Sequence, residues 1–184
     1  MKLSRTWAMP NSNTFKIKPI LELIRQYDKG GLVIDPFANE CSIRDYIGKR
    51  LVSNDLDPKY KNDYSLEAND FLKLFNDCSV DLVLYDPPYS PRQVKEVYTE
   101  LNKTVTITDT QASYWTSFKK EIARVLKPGG VCISFGWNSN GIGMSNNMDI
   151  IEVMLVAHGG SKNDTIVTVE VKNHHTIKME LGEL

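Results

Sequence analysis

Three cysteines in 184 residues, far apart at Cys41, Cys78 and Cys132, are too few and too scattered for a disulfide framework. No C-x-x-C pair occurs, and neither does H-E-x-x-H or H-x-E, so structural zinc, zincin and zinc-deaminase chemistry finds no support. No cysteine follows a proline, which removes the Pro-Cys nucleophile of cytosine C5 methylation. The pair His174-His175 is too sparse for a metal site. Long apolar runs are missing as well. The longest are a handful of residues, as in Leu82 to Tyr85, against about 20 for a membrane span. Met1 to Pro10 lacks the apolar run of a signal peptide, so the expected location is cytoplasmic. An excess of one charge is also missing: 22 Lys/Arg stand against 23 Asp/Glu, a net charge of −1.

What is present is an ordinary globular composition, 41% hydrophobic and 24% charged. It is expected to form one domain over residues 1–184. Charge is uneven along the chain. Residues 1–29 carry six Lys/Arg and two Asp/Glu, residues 30–87 six and eleven, and residues 88–130 seven and four. The two basic segments would form one basic face, suited to a phosphate backbone, if they met in space.

Short apolar runs alternate with helical periodicity, the pattern of an α/β fold with a mainly parallel sheet. Phe15 to Tyr27 reads as a helix with Ile17, Ile20, Leu21 and Ile24 on one face. Strands are expected at Leu32–Ile34, Leu51–Ser53, Val80–Tyr85 and Val131–Phe135. Helices are expected near Ser42–Ile47, Leu66–Phe75, Pro91–Leu101 and Ser113–Leu126. Lys127-Pro-Gly-Gly130 reads as a stop and turn. Asp149–Val156 and Thr165–Val171 read as an antiparallel hairpin, and His174 to Leu184 is weakly specified.

Three of these strands end in an acid: Asp35, Asp55 and Asp86. In such sheets ligands bind beyond the carboxyl ends of the strands. Asp86-Pro87-Pro88-Tyr89 is the sharpest signal. Two prolines fix φ and donate no hydrogen bond, so the chain leaves the sheet in a rigid direction. The Asp86 carboxylate and the Pro87 carbonyl then offer two acceptors, which match the two N–H donors of an exocyclic amine. Tyr89 supplies a flat face for stacking.

Asp-Pro-Pro-Tyr after such a strand resembles the catalytic motif of S-adenosylmethionine-dependent, amino-methylating DNA methyltransferases, in particular their small phage and prophage type. In that family Asp and Asn variants go mainly with adenine N6, and Ser variants with cytosine N4. The resemblance covers most of the chain. It implies a single Rossmann-like class I methyltransferase domain, a mainly parallel seven-stranded sheet with a C-terminal antiparallel hairpin. Asp86, Pro87, Pro88 and Tyr89 would be catalytic. Asp35-Pro36-Phe37 is similar to the start of the cofactor loop, Asp55 to the acid that accepts from the ribose, and Asp70 to the residue beside the cofactor's adenine. Asn13, Thr14, Phe15 and Lys18 lie in a segment similar to the one that contacts the cofactor's methionine end.

The resemblance implies S-adenosylmethionine as cofactor and DNA as substrate, with no membrane, no metal and a possible homodimer. The target adenine would flip into the pocket, and its N6 nitrogen would attack the sulfonium methyl in a direct displacement, with S-adenosylhomocysteine as the leaving group. Two departures stand out. Asn39 and Cys41 occupy positions where glycines are expected, Asn39 being able to adopt a left-handed conformation. No separate target-recognition domain fits, the one unassigned insert being Arg92 to Gln111. Alternatives are methylation of cytosine N4, an RNA base or a protein glutamine, or a non-catalytic cofactor- or nucleic-acid-binding subunit that needs a partner.

Overall fold

Val80–Tyr85 is an unbroken apolar strand apart from Asp81, and it forms the centre of the molecule because both of its faces are covered. The computed structural model describes residues 1–104, 106, 111–160 and 162–174. Seven strands form one sheet: β1 (Lys2–Trp7), β2 (Val33–Asp35), β3 (Leu51–Ser53), β4 (Val80–Tyr85), β5 (Leu126–Gly136), β6 (Met148–Ala157) and β7 (Thr165–Lys172). Their order is β1-β6-β7-β5-β4-β2-β3. Every neighbouring pair is parallel except those made by β7, which runs antiparallel to both β5 and β6.

The helices are α1 (Lys18–Tyr27), α2 (Arg44–Ile47), α3 (Ala68–Leu72), α4 (Pro91–Glu100) and α5 (Ala112–Val125). Helix α1 buries Ile20, Leu23 and Ile24 on one face of the sheet, against Val33, Leu82, Leu84 and Ile133. Each fully buried Ile there contributes about 1.5–3 kcal/mol. Helices α3 and α5 bury Phe71, Phe118 and Ile122 on the opposite face, against Ile34, Val83 and Cys132. Helices α1 and α5, one from each basic segment, therefore cover opposite faces of the sheet.

Three expectations need correction. Lys127-Pro-Gly-Gly130 does not separate helix from strand but lies within β5 as an irregularity. Leu126 pairs with Val80 and Val131 with Leu82, so the four residues bulge opposite Asp81. Both oxygens of Asp81 hold the Lys127 ammonium, at 2.9 and 2.8 Å, and Asp81 also accepts from the Leu32 amide. Second, Lys2–Trp7 is a strand that the sequence did not announce, paired in parallel with β6. Third, the first helix starts at Lys18, after a 3-10 turn at Thr14–Lys16. The expectations for His175 to Leu184 and for part of the insert (105 and 107–110) fall outside the described residues.

Candidate active site

The carboxyl ends of β2, β3 and β4 open on one cleft of about 870 Å³. Three chain segments build its cofactor-sized half. After β2, Pro36, Phe37 and Asn39 form one wall. After β3, Asp55, Leu56, Asp57 and Tyr60 form a second, and Leu66, Glu67 and Ala68 lead into α3 as a third. Asn54, 1% exposed, ties these loops together. Its amide donates to the Pro36 and Leu66 carbonyls at 3.1 and 3.0 Å and accepts from the Leu66 amide at 2.9 Å.

The loop after β2 adopts the backbone that glycines would ease. Asn39 has φ 48° and Cys41 φ 53°, both left-handed. The Asn39 amide donates to Asp55 Oδ2 at 2.8 Å, and its carbonyl accepts from Asn62 at 2.9 Å. Cys41 turns its side chain into the hydrophobic core, so it takes no space in the cleft. Asp55 also accepts from the Asp57 amide, and burial pushes its carboxyl above the ordinary range.

The other half of the cleft surrounds the end of β4. Asp86 is half-buried, and desolvation raises its pKa against the hydroxyls of Thr14 and Tyr89 that bond to it. The Tyr89 hydroxyl donates to Asp86 Oδ1. The corner is braced from outside. The Trp115 indole donates to the Pro88 carbonyl at 2.9 Å, and the Tyr89 amide donates to Gln93 Oε1 at 2.6 Å. Ser90 then caps α4, with Pro91 in its first turn. Trp137 lies edge-on to Tyr89, centroids 5.6 Å apart, which gives the cleft an aromatic corner.

The sequence-predicted residues divide. Thr14, Pro36, Phe37, Asn39, Asp55, Asp86, Pro87, Pro88 and Tyr89 line the cleft together. Asp35 lies beneath it, fully buried: Oδ1 accepts from the Phe37 amide at 3.1 Å, Oδ2 has no partner, and burial drives its pKa well up. Phe15 packs in the core against Phe135, 5.2 Å between centroids. Asn13 bonds to Glu40 at 2.8 Å, and Lys18 faces solvent with its side chain 87% exposed. Neither lines the cleft. Asp70 is also outside it. Two residues past Ala68 on α3, it points about 200° around the helix, pairs with Lys73 at 3.0 Å and opens on a side pocket of about 370 Å³.

Residues not among the expected site residues complete the walls. Pro10, Asn11 and Ser12 cross the mouth from β1, opposite Lys162 and Asn163 of the β6–β7 turn. His158 fastens that mouth, with Nδ1 2.9 Å from the Ala8 carbonyl oxygen and Nε2 2.9 Å from Thr165 Oγ1. Along α4, Gln93, Glu96, Val97 and Glu100 form the outer wall. Helical spacing from Gln93 to Val97 and from Glu96 to Glu100 was the available signal. Among the described residues no group of His, Cys, Asp and Glu could hold a metal ion, and no helix is long and apolar enough to cross a membrane.

No protein-family model matches the chain, and no curated protein matches its sequence. Solved structures do match its shape. The N-methyltransferase NodS from Bradyrhizobium japonicum superposes with a TM-score of 0.59 at 12% identity, over 89% of this chain and 99% of NodS. The chain has the fold of a class I methyltransferase. TrmN from Thermus thermophilus gives a TM-score of 0.57 at 18% identity over 85% of this chain, which spans only 49% of TrmN. The 1,6-didemethyltoxoflavin-N1-methyltransferase of Burkholderia thailandensis, solved with bound 1,6-didemethyltoxoflavin and S-adenosylhomocysteine, gives 0.55 at 12% identity, over 84% of this chain and 76% of that enzyme.

Proposed function

We propose that this chain transfers a methyl group from S-adenosylmethionine to the exocyclic N6 amine of adenine in DNA. The reading rests on one observation above the others: Asp86-Pro87-Pro88-Tyr89 turns the end of β4 into the same cleft that Asp55 and the left-handed Asn39 loop enter from β3 and β2. The residues suit the cofactor. Phe37, Leu56 and Ala68 offer apolar surface to an adenine, Asp55 accepts hydroxyl hydrogens, and Asp55, Asp57 and Asp86 make a negative cleft for a sulfonium cation. When bound, the cofactor supplies an already activated methyl group.

The protein's part is then positioning and electrostatics. Asp86 and the Pro87 carbonyl accept the amine hydrogens and aim its nitrogen. The ring of Tyr89, against Trp137, holds the flipped base. Phosphates stay outside, because Asp57, Glu67, Glu96 and Glu100 line the cleft against Lys59 and Lys162. That same acidic lining favours a second reading, in which a basic peptide presents a side-chain amide.

Labelled S-adenosylmethionine and DNA of mixed sequence test the proposal, with wild type beside Asp86→Ala. Label is expected as N6-methyladenine and is expected to vanish in the variant. Digestion to nucleosides and amino acids separates adenine from cytosine N4, RNA and glutamine products. Cofactor binding without transfer to any acceptor, restored by a second protein, would favour a binding subunit instead. No cofactor binding would remove the proposal at its base.

A further inference from the structure

Strand β1 is an edge of the sheet, with β6 as its one neighbour in the strand order. Among the described residues, four of the ten exposed large hydrophobics belong to its alternating row: Met1, Leu3, Trp7 and, just past its end, Met9. Leu3 is 69% exposed and Trp7 62%. An open apolar edge is a template for another strand.

We propose that β1 pairs antiparallel with β1 of a second copy of this chain, with Ser4 on the two-fold axis. The backbone supports this register. The Ala8 amide donates to the Ala157 carbonyl at 3.0 Å, so even-numbered residues turn their backbone groups toward β6. Alternation then points the N–H and C=O of Leu3, Arg5 and Trp7 at the free edge. An axis perpendicular to the sheet pairs odd residues with odd. With Ser4 on the axis, Leu3 faces the second copy's Arg5 and Met1 faces its Trp7. Each of these pairs exchanges two hydrogen bonds.

Charge excludes the neighbouring register. Arg5 is the one charged residue in the outward row, and moving the axis one residue along, onto Arg5, would set two guanidiniums face to face. Lys2, on the other face, is neutralised by Glu152 at 2.8 Å. Across the axis the Arg5 stem covers Leu3, and Met1 covers Trp7. Stable interfaces bury about 1,600 Å² in total, so a ribbon this short gives a reversible dimer rather than an obligate one. All strands except β7 run parallel to β1, so the two clefts open at opposite rims of the joined sheet.

Sedimentation velocity of the full chain over a range of concentrations tests this. Wild type is expected to pass from monomer to dimer as concentration rises. Arg5→Pro removes one outward N–H and leaves the β1–β6 ladder intact, and it should weaken the dimer at least tenfold. Leu3→Lys, facing the opposite Arg5, should do the same, whereas Leu3→Glu should keep or tighten the dimer. Circular dichroism confirms that each variant is folded. A wild type monomeric at every concentration, or a dimer indifferent to both Arg5→Pro and Leu3→Lys, overturns the proposal. The readout is independent of methyl transfer, so it stands or falls apart from the proposed function.

Discussion

Replacing Asn54 by alanine should loosen the cleft and the fold together. The side chain is buried and makes three hydrogen bonds, two donated to the Pro36 and Leu66 carbonyls and one accepted from the Leu66 amide. Each is worth about 1 kcal/mol net, and leaving buried partners unmet adds about 1–2 kcal/mol more, so the loss should be roughly 4 kcal/mol. For a chain of this size that lowers Tm by roughly 8–16 °C. Urea and thermal melts followed by circular dichroism measure it. Because the freed groups belong to two of the three cofactor-side walls, affinity for S-adenosylmethionine, read by calorimetry, should fall as well. A loss below about 1 kcal/mol with unchanged affinity would refute the claim that Asn54 clamps these loops.

Tyr89→Phe keeps the ring but removes the hydroxyl that bonds to Asp86. It should retain most methyl transfer, while Tyr89→Ala should lose about 1–3 kcal/mol of base stacking, seen as a raised KM for the acceptor. Removing that hydroxyl also removes a hydrogen bond that lowers the Asp86 pKa, so the acid limb of the Tyr89→Phe rate profile should move to higher pH. Burial raises the folded pKa of Asp35, Asp55, Asp86 and Glu170 above their unfolded values. Between those limits the folded chain holds protons that the unfolded chain has released, so stability falls as pH rises. Asp28, Asp63 and Asp81, whose pKa values are lowered, act oppositely, and their contribution is lost as pH falls into the acid range. Urea midpoints should therefore peak in mild acid and decline toward neutrality, and a midpoint that climbs from about pH 5 to pH 8 would contradict this balance.

The sheet was legible wherever strands are buried on both faces. Val80–Tyr85 and Leu51–Ser53 match their expected bounds, their side chains being mostly buried. Strand β1 was not legible, because this edge strand exposes Leu3, Arg5 and Trp7 and half-buries Ser4 and Thr6, the reverse of an apolar-in, polar-out alternation. Lys127-Pro-Gly-Gly130 misled for a different reason. Proline and glycine signal a turn, but here Asp81 captures Lys127 and holds the bulge within the strand. In the cleft, both left-handed residues of the Asn39 loop fall at the positions where glycines were expected. Side-chain direction is harder to read from sequence than backbone conformation. Asp70, Asn13 and Lys18 lie in segments next to the cleft but do not line it, and a one- or two-residue phase on a short helix or turn decides that.

The distribution of charge carries one more consequence for a nucleic-acid substrate. Helices α1 and α5, one from each basic segment of the chain, cover opposite faces of the sheet, and none of their Lys or Arg lines the cleft. A strand entering the cleft therefore meets few cations. Lys59 and Lys162 are the Lys or Arg among the lining residues, and Lys59 is paired with Asp57 at 2.6 Å. Each neutralised phosphate contributes about −0.7 for single strands and −0.9 for duplex to the slope of log K against log salt. One or two contacts thus predict a slope of about −1 to −2, shallow for a DNA-binding protein. Titrating a fluorescent oligonucleotide at several salt concentrations gives the slope directly. A value near −5 would mean that about six phosphates are engaged, more than this rim supplies, and would place the DNA across α1 or α5 instead. A shallow slope would mean that the base, held at Asp86 and Tyr89, carries most of the recognition.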